Sequence, residues 1–412
     1  MTRPVLADID RHRRLQVQAA SELADAISEQ SADVFHQLRT VETSATAADE
    51  ITKTIRALKT YGKELPALER RLPAGRVSVA LPFNNPLYSL VLYSVGAAVA
   101  GSPVSVRPSA ITAEVVTKIY NTFRDPFRSL GVELFHGSGS DFLRTAIEDN
   151  AIQSLIFTGS YENLSKFRPQ FPERKGLIYC GAGINPFIVD ATVGNCATAI
   201  TTAVDLAIRS RLYNSGQDCL CSERIYVHEE LFEAFWRGLV ERLKDVRHGP
   251  LSDDRAVVTE LMPPVAANLR ALLQENNADI CRSWGGRWEG DVLSPQVLKV
   301  HPGSALLNRE KFGPVFVLSS FHDESALNAA LRSDFRFGAT VCGSYDSAVL
   351  STYPHVTRVT SVIEAESEDA HVPFGGRLKS GFATRGTEFR DGPILYSIET
   401  TVPVIDLVEN RT

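Results

Sequence analysis

Positive charge is in the minority in this chain. Its 43 Lys and Arg stand against 49 Asp and Glu, a formal charge of −6 over 412 residues. That balance excludes the basic surface a nucleic-acid or anionic-membrane partner would require. Only six cysteines are present, at 180, 196, 219, 221, 281 and 342, with no framework spacing. A disulfide-stapled fold is thereby excluded, and a reducing, cytoplasmic setting is expected. None of the nine histidines forms a pair at helical or C-x-x-C spacing, so no metal site is expected. The start, M-T-R-P-V-L-A-D-I-D followed by R-H-R-R, has no apolar core and no cleavage site, so no secretory signal is expected. Long hydrophobic runs are scarce too. The longest, Leu87 to Val106, is interrupted by Ser89, Ser94, Gly96, Gly101, Ser102 and Pro103. It reads as a buried helix feeding a buried strand rather than a membrane span. Internal repeats and low-complexity linkers are missing as well.

What is present is ordinary globular composition, 44% hydrophobic and 22% charged, in a chain long enough for two or three full cores. Leu15, Leu23, Ala26, Ile27, Phe35 and Leu38, then Ile51, Ile55 and Leu58, recur at helical spacing over residues 11–62. From Arg76 the pattern alternates. R-V-S-V-A-L, V-S-V-R, V-E-L-F and S-L-I-F read as strands separated by helices, and the alternation resumes after Phe187 with helices near 196–211, 229–245 and 262–275. Strands alternating with helices predict a parallel, doubly wound α/β sheet, followed by a second α/β domain. Ligands of such sheets sit beyond the carboxyl ends of the strands, where Asn84, Arg107, Gly137 and Ser160 fall.

The most informative stretch is N-S-G-Q-D-C, ending at Cys219. A thiol closing a Gly-Gln turn just before a strand is held exposed and oriented, as a nucleophile requires, although a buried and inert cysteine is the commoner case. Cys221, two residues on, faces away along the strand or pairs with Cys219 under oxidation. H-G-S-G-S at 136–140 reads as a plain strand-to-helix turn rather than a phosphate cradle, since a lone G-x-G is weak evidence. Residues 361–372, with four carboxylates, read as a solvated surface loop.

Six collinear segments then resemble the aldehyde dehydrogenase superfamily. They are P-F-N-N-P-L at 82–87, R-P-S-A at 107–110, F-T-G-S at 157–160, G-Q-D-C at 216–219, E-K-F-G-P-V at 310–315 and P-F-G-G-R-L-K-S-G at 373–381. Each motif alone is weak, but their consistent order from about residue 50 onward is specific. The resemblance implies a Rossmann-type NAD(P)-binding domain over 1–185 and a catalytic domain over 186–392. A C-terminal intersubunit strand over 393–412 would complete the chain. It further implies Cys219 as nucleophile, with the Asn84 amide and the Cys219 backbone N–H as oxyanion donors. Arg107, Ser109, Ala110, Gly137, Gly159 and Ser160 would lie along the cofactor. Glu310 would hold the nicotinamide ribose and Phe312 would wall the ring; a solvated carboxylate and a core aromatic are the plainer readings of those two.

Three departures matter. Hydrolytic members carry Glu-Leu-Gly-Gly-Lys-Asn-Pro before the catalytic domain, and that Glu activates water. Here the segment is C-G-A-G-I-N-P, with Cys180 in the base position. Loss of a general base typically costs ~10²–10⁴ in rate. The segment instead resembles acylating dehydrogenases and acyl-thioester reductases. The expectation is therefore reduction of an activated acyl group, bound to CoA or a carrier, through a Cys219 thioester. Oxidation of an aldehyde with another water-activating group, and a cofactor-binding pseudoenzyme, stay open. Second, the family's Lys-Pro-Ser-Glu is R-P-S-A. Without a carboxylate at Ala110, and with a guanidinium at Arg107, NADP(H) is expected ahead of NAD(H), with NAD(H) still open. Third, residues 59–73 are short for the hairpin that builds tetramers, which favours a homodimer.

Overall fold

In a computed structural model the chain is described over residues 3–69, 71–73, 75–367, 376–386, 388–391 and 408–410. Two seven-stranded sheets dominate, as the alternation predicts. In the first, Gly176–Cys180, Ile152–Thr158, Arg76–Ala80, Val104–Arg107 and Val132–Leu134 run parallel in that order. Their valines, isoleucines and leucines point into cores on both faces, which is why the strands read as near-continuous apolar runs. The second sheet runs His355–Arg358, Gly338–Cys342, Asn185–Val189, Ser222–His228, Val315–Phe321 and Gln296–Val300, all parallel, with Ile280–Gly285 antiparallel at its edge.

The run from Leu87 to Val106 is the helix-then-strand unit expected. Pro86–Leu90 is α-helical, Val91–Val95 widens into a π turn, and Gly96–Val99 returns to α before the strand Val104–Arg107. The carbonyls loosened at Val91 and Leu92 both accept from the buried Tyr61 hydroxyl, at 3.2 and 3.4 Å. No helix among the described residues is long and apolar enough to cross a membrane. The N-terminal helices Arg3–Glu29, Ser31–Leu38 and Ser44–Thr60 cover one face of the first sheet.

Two features of chain path lie beyond sequence periodicity. Gly381–Arg385 pairs antiparallel with Gly176–Cys180, and Glu388–Asp391 pairs with Gly381–Arg385. The stretch grouped by sequence with the catalytic part therefore returns to the first sheet at 381–391. Of the expected intersubunit strand, residues 393–407 lie outside the described residues; Val408–Asn410 pairs with Arg71–Pro73 of the same chain.

Candidate active site

Four loops converge at the site: those after Arg76–Ala80 and Gly176–Cys180 leave the carboxyl ends of first-sheet strands, and those before Ser222–His228 and Val315–Phe321 enter the amino ends of second-sheet strands. The nucleophile turn follows helix Ala197–Leu212, and Asn214 and Ser215 adopt left-handed backbone angles there, φ 46° and 58°. Gly216 follows with φ 83°; a Cβ on it would meet the Gly313 carbonyl carbon at 2.6 Å, so the turn and the 310–315 loop close directly on each other. Arg211 locks this contact. Its guanidinium donates to Gly313 O, Gly216 O (3.0 Å) and Ser222 O (2.9 Å) and pairs with Glu223 at 2.6 Å, all fully buried.

Glu223 reaches the other way. Its carboxylate accepts from the backbone N–H of Lys311 (2.9 Å) and of Phe312 (3.3 Å), and the Lys311 ammonium lies 3.2 Å from it. These contacts hold Phe312 at φ 50°, a strained angle for an aromatic residue, with its ring edge-on to Phe83 at 5.5 Å. Glu310, half-buried on the same loop, is held by burial and by nearby Glu223 as a weak acid, its carboxyl pushed up to about 8.

Cys219 is half-buried and packs against Leu220, Phe337 and the helix Val362–Ser367. Asn185 of C-G-A-G-I-N-P fixes its backbone, donating to Cys219 O (2.8 Å) and Cys221 O (3.0 Å) while accepting from Gly338 N (2.9 Å). Burial pushes the Cys219 thiol well above its usual range, and the carboxyls of Asp218, Glu310 and Glu366 push the same way. At rest it is therefore a thiol, and attack requires a base to take its proton.

Asn84 lies beside this thiol's neighbour. Its amide donates to Asp218 at 3.3 Å, and the Asn85 amide donates to the same oxygen at 2.6 Å. One Asn84 N–H is thus directed at Asp218, and the other has no acceptor among the described residues. Cys180 ends the strand Gly176–Cys180. Burial pushes its thiol up to about 12, with Tyr93 hydrogen-bonded to it, which disqualifies it as a base near neutrality. Cys221 is buried, with its Sγ turned toward the Tyr213 carbonyl at 3.7 Å.

The cofactor residues separate into two groups. Arg107, Ala110 and Gly137 line one cavity of about 340 Å³, together with Pro108, Leu134 and His136. The Arg107 guanidinium lies against Gly139 at the start of helix Gly139–Glu148, and its buried Nε has no partner among the described residues. The same guanidinium donates to the Pro108 carbonyl at 3.2 Å. Ser138 caps that helix, so H-G-S-G-S is the strand-to-helix turn expected. Ser160 likewise caps Tyr161–Phe167, and Gly159 ties to Cys180 O (3.1 Å). Ser109 shapes its own turn, accepting from Ile111 N at 3.4 Å.

A family model described as "Aldehyde dehydrogenase family" matches residues 7–391. The chain belongs to the aldehyde dehydrogenase family. It is thus an oxidoreductase of the NAD(P)-dependent aldehyde dehydrogenase superfamily. It is 28% identical over 368 residues to a lactaldehyde dehydrogenase of Methanococcus vannielii, covering 82% of this chain and 77% of that protein. It is also 28% identical to an aminoacetaldehyde dehydrogenase of Pseudomonas aeruginosa, over 84% of this chain and 71% of that one. Among solved structures, a glyceraldehyde-3-phosphate dehydrogenase of Methanocaldococcus jannaschii complexed with NADP superposes with a TM-score of 0.81 at 17% identity, over 99% and 93% of the two chains. A succinate-semialdehyde dehydrogenase of Burkholderia pseudomallei gives 0.81 at 21% identity, over 98% and 86%.

Sequence reasoning missed the supporting charges Arg211, Glu223 and Lys311, because S-E-R reads only as strand alternation. It also misread residues 361–367. Glu366 is buried, 3.1 Å from the buried Lys53, and Glu364 pairs with Arg209 at 2.5 Å, so this part of the acidic segment is packed helix rather than solvated loop.

Proposed function

We propose that this aldehyde dehydrogenase oxidises a small polar aldehyde to the acid, with Cys219 carrying the acyl group. The observation that carries the reading is that Cys219 follows Asp218, to which both Asn84 and Asn85 donate, while Glu310 lies near enough to raise the Cys219 thiol. In the forward step the Cys219 thiol loses its proton to a neighbouring carboxylate and its sulfur bonds to the carbonyl carbon. The Asn84 amide and the Cys219 N–H receive the developing oxyanion. Bound NAD(P)⁺ would supply the acceptor to which the Cys219 adduct loses a hydride, two electrons with one proton, to become a thioester. Glu310 would orient its nicotinamide ribose and Phe312 its ring, while Arg107 and the Ala110 side of the cavity take the adenosine. A guanidinium lining this cavity, with no carboxylate at Ala110, favours NADP(H) over NAD(H).

The names of the curated relatives support oxidation and a lactaldehyde- or aminoacetaldehyde-sized substrate. No such support attaches to the reductive acyl-thioester direction, which rests on C-G-A-G-I-N-P alone. Purified protein given lactaldehyde, aminoacetaldehyde or succinate semialdehyde with NADP⁺ or NAD⁺, with and without CoA, separates the two. Acid formation independent of CoA, faster with NADP⁺, is expected, and Cys219→Ala should lose all turnover while still binding NADPH. Turnover only with acyl-CoA and NADPH, or undiminished turnover in Cys219→Ala, would overturn the reading. A homodimer is expected by sedimentation.

A further inference from the structure

Hydrolysis of a Cys219 thioester needs a base for water, and the buried Cys180 thiol, pushed up to about 12, does not supply one. The helix Val362–Ser367 contributes Val362, Ile363 and Ala365 to the apolar cluster against which Cys219 packs, and its Glu366 is close enough to act electrostatically on the Cys219 thiol. Glu366, next in that helix, is 7% exposed. Two cations on helix Ser44–Thr60 fix it in place. Lys53 donates to its Oε2 at 3.1 Å, and Arg56 donates to its backbone carbonyl. Among the described residues Oε1 receives no hydrogen bond. Lys53 is itself braced by Asp49 at 3.0 Å and lies 5.0 Å over the ring of Tyr213, the residue that opens the nucleophile turn. The carboxylate is thus anchored by one oxygen, with the other free for a water.

We propose that Glu366 is the general base that deacylates Cys219, replacing the carboxylate missing at Cys180. The inference rests on the acyl-Cys219 reading and deepens it. In the step, water attacks the thioester carbon while one of its protons passes to Glu366. A C–O bond forms, the C–S bond breaks, the acid leaves and Cys219 departs as thiolate; no oxidant or reductant is consumed. Other carboxylates nearby are worse placed. Asp218 already accepts from Asn84, Asn85 and the Leu220 N–H (2.7 Å), and Glu310, also near the thiol, is pushed up to about 8 by burial and Glu223 and so stays largely protonated near neutrality. Burial raises the Glu366 carboxyl despite Lys53, which brings it toward the operating pH of a base. Lys53, Asp49, Asp218 and Tyr213 are the charged and titratable groups facing it.

The test uses the full-length protein and p-nitrophenyl acetate, which acylates a reactive thiol without cofactor or aldehyde. Wild type should release a burst of p-nitrophenolate and then turn over steadily. Glu366→Gln should keep the burst, showing a folded site and a competent Cys219, while its steady phase falls ~10²-fold or more. Hydroxylamine, which attacks thioesters unaided, should restore turnover in that variant, and the acidic limb of the wild-type pH profile should vanish. An unchanged steady phase, or loss of the burst together with the steady phase, would overturn the assignment. Failure of the aldehyde panel with the ester kinetics intact would sink the oxidation reading and leave Glu366 standing.

Discussion

Glu223 ties the nucleophile turn to the 310–315 loop, pairing with Arg211 and Lys311 and accepting from the Lys311 and Phe312 N–H groups. Burial pushes its carboxyl up, but Arg211 and Lys311 outweigh that and hold it below the usual range. Removing one partner of a buried ion cluster costs about 3–5 kcal/mol, because the remaining charges are left uncompensated. Glu223→Gln should therefore lose stability of that order in denaturant unfolding at pH 7. A group with a depressed folded value contributes stability above its unfolded value, roughly 4.3, and loses it as pH falls through the folded one. Acid unfolding of the wild type should thus include a component absent from Glu223→Gln; coincident acid profiles would show the cluster to be unimportant. Cys219, Asn84, Arg107 and Glu310 could be proposed from the sequence because each lies in a short motif at a strand end or in a loop, where the pattern is local. Glu223 could not, because its meaning lies in partners, Arg211 and Lys311, that only the fold brings to it.

Helix Ser44–Thr60 shows how an element can carry charge inward. Glu50 accepts from the Tyr88 N–H at 2.8 Å, and Glu42, just before the helix, accepts from the Asn85 N–H at 2.9 Å. The two carboxyls are buried and hydrogen-bonded to each other, so the pair keeps a proton; burial raises Glu50 to about 7. Here the sign is opposite to Glu223. Between the unfolded value of roughly 4.3 and about 7 the folded state binds more protons, so stability falls as pH rises through that window. The slope is at most about 1.4 kcal/mol per pH unit for one group. Glu50→Gln mimics the protonated form, and should flatten the decline and melt higher than wild type at pH 8. A lower melt at pH 8 would mean that the carboxylate itself is needed. Helical spacing over residues 11–62 was readable, and so was the apolar face. The inward face of Glu50 and Lys53 was not, since periodicity alone places charges in water. The same bias turned residues 361–367 into a solvated loop, when Lys53 and Arg56 of this helix draw Glu366 inside.

At the scale of the whole molecule, the first sheet is completed only by residues from far along the chain. Gly381–Arg385 covers the strand that ends in Cys180, and Phe382 is 2% exposed there, with its ring 5.3 Å from Tyr179 and under the Arg168 guanidinium at 4.5 Å. Strand alternation reveals that a sheet exists but not which late segment closes its edge, so no local pattern could have announced this pairing. Its consequence is that the cofactor half cannot be cut free at its sequence boundary. A fragment of residues 1–185 would expose the full edge of Gly176–Cys180, a template for intermolecular pairing, and should aggregate or fail to melt cooperatively. Within the intact chain, Phe382→Ala should cost about 3–5 kcal/mol, as for other large-to-small core changes. Because Gly181 N also donates to Ser380 O at 3.0 Å, the C-G-A-G segment under the nucleophile is tied to the same closure. Loosening it should slow acyl turnover at Cys219 while leaving NADPH binding at the distant Arg107 cavity close to wild type. Equal losses in both would mean that the first sheet unravels as a unit, and unchanged turnover would mean that the 381–391 return only decorates a sheet stable without it.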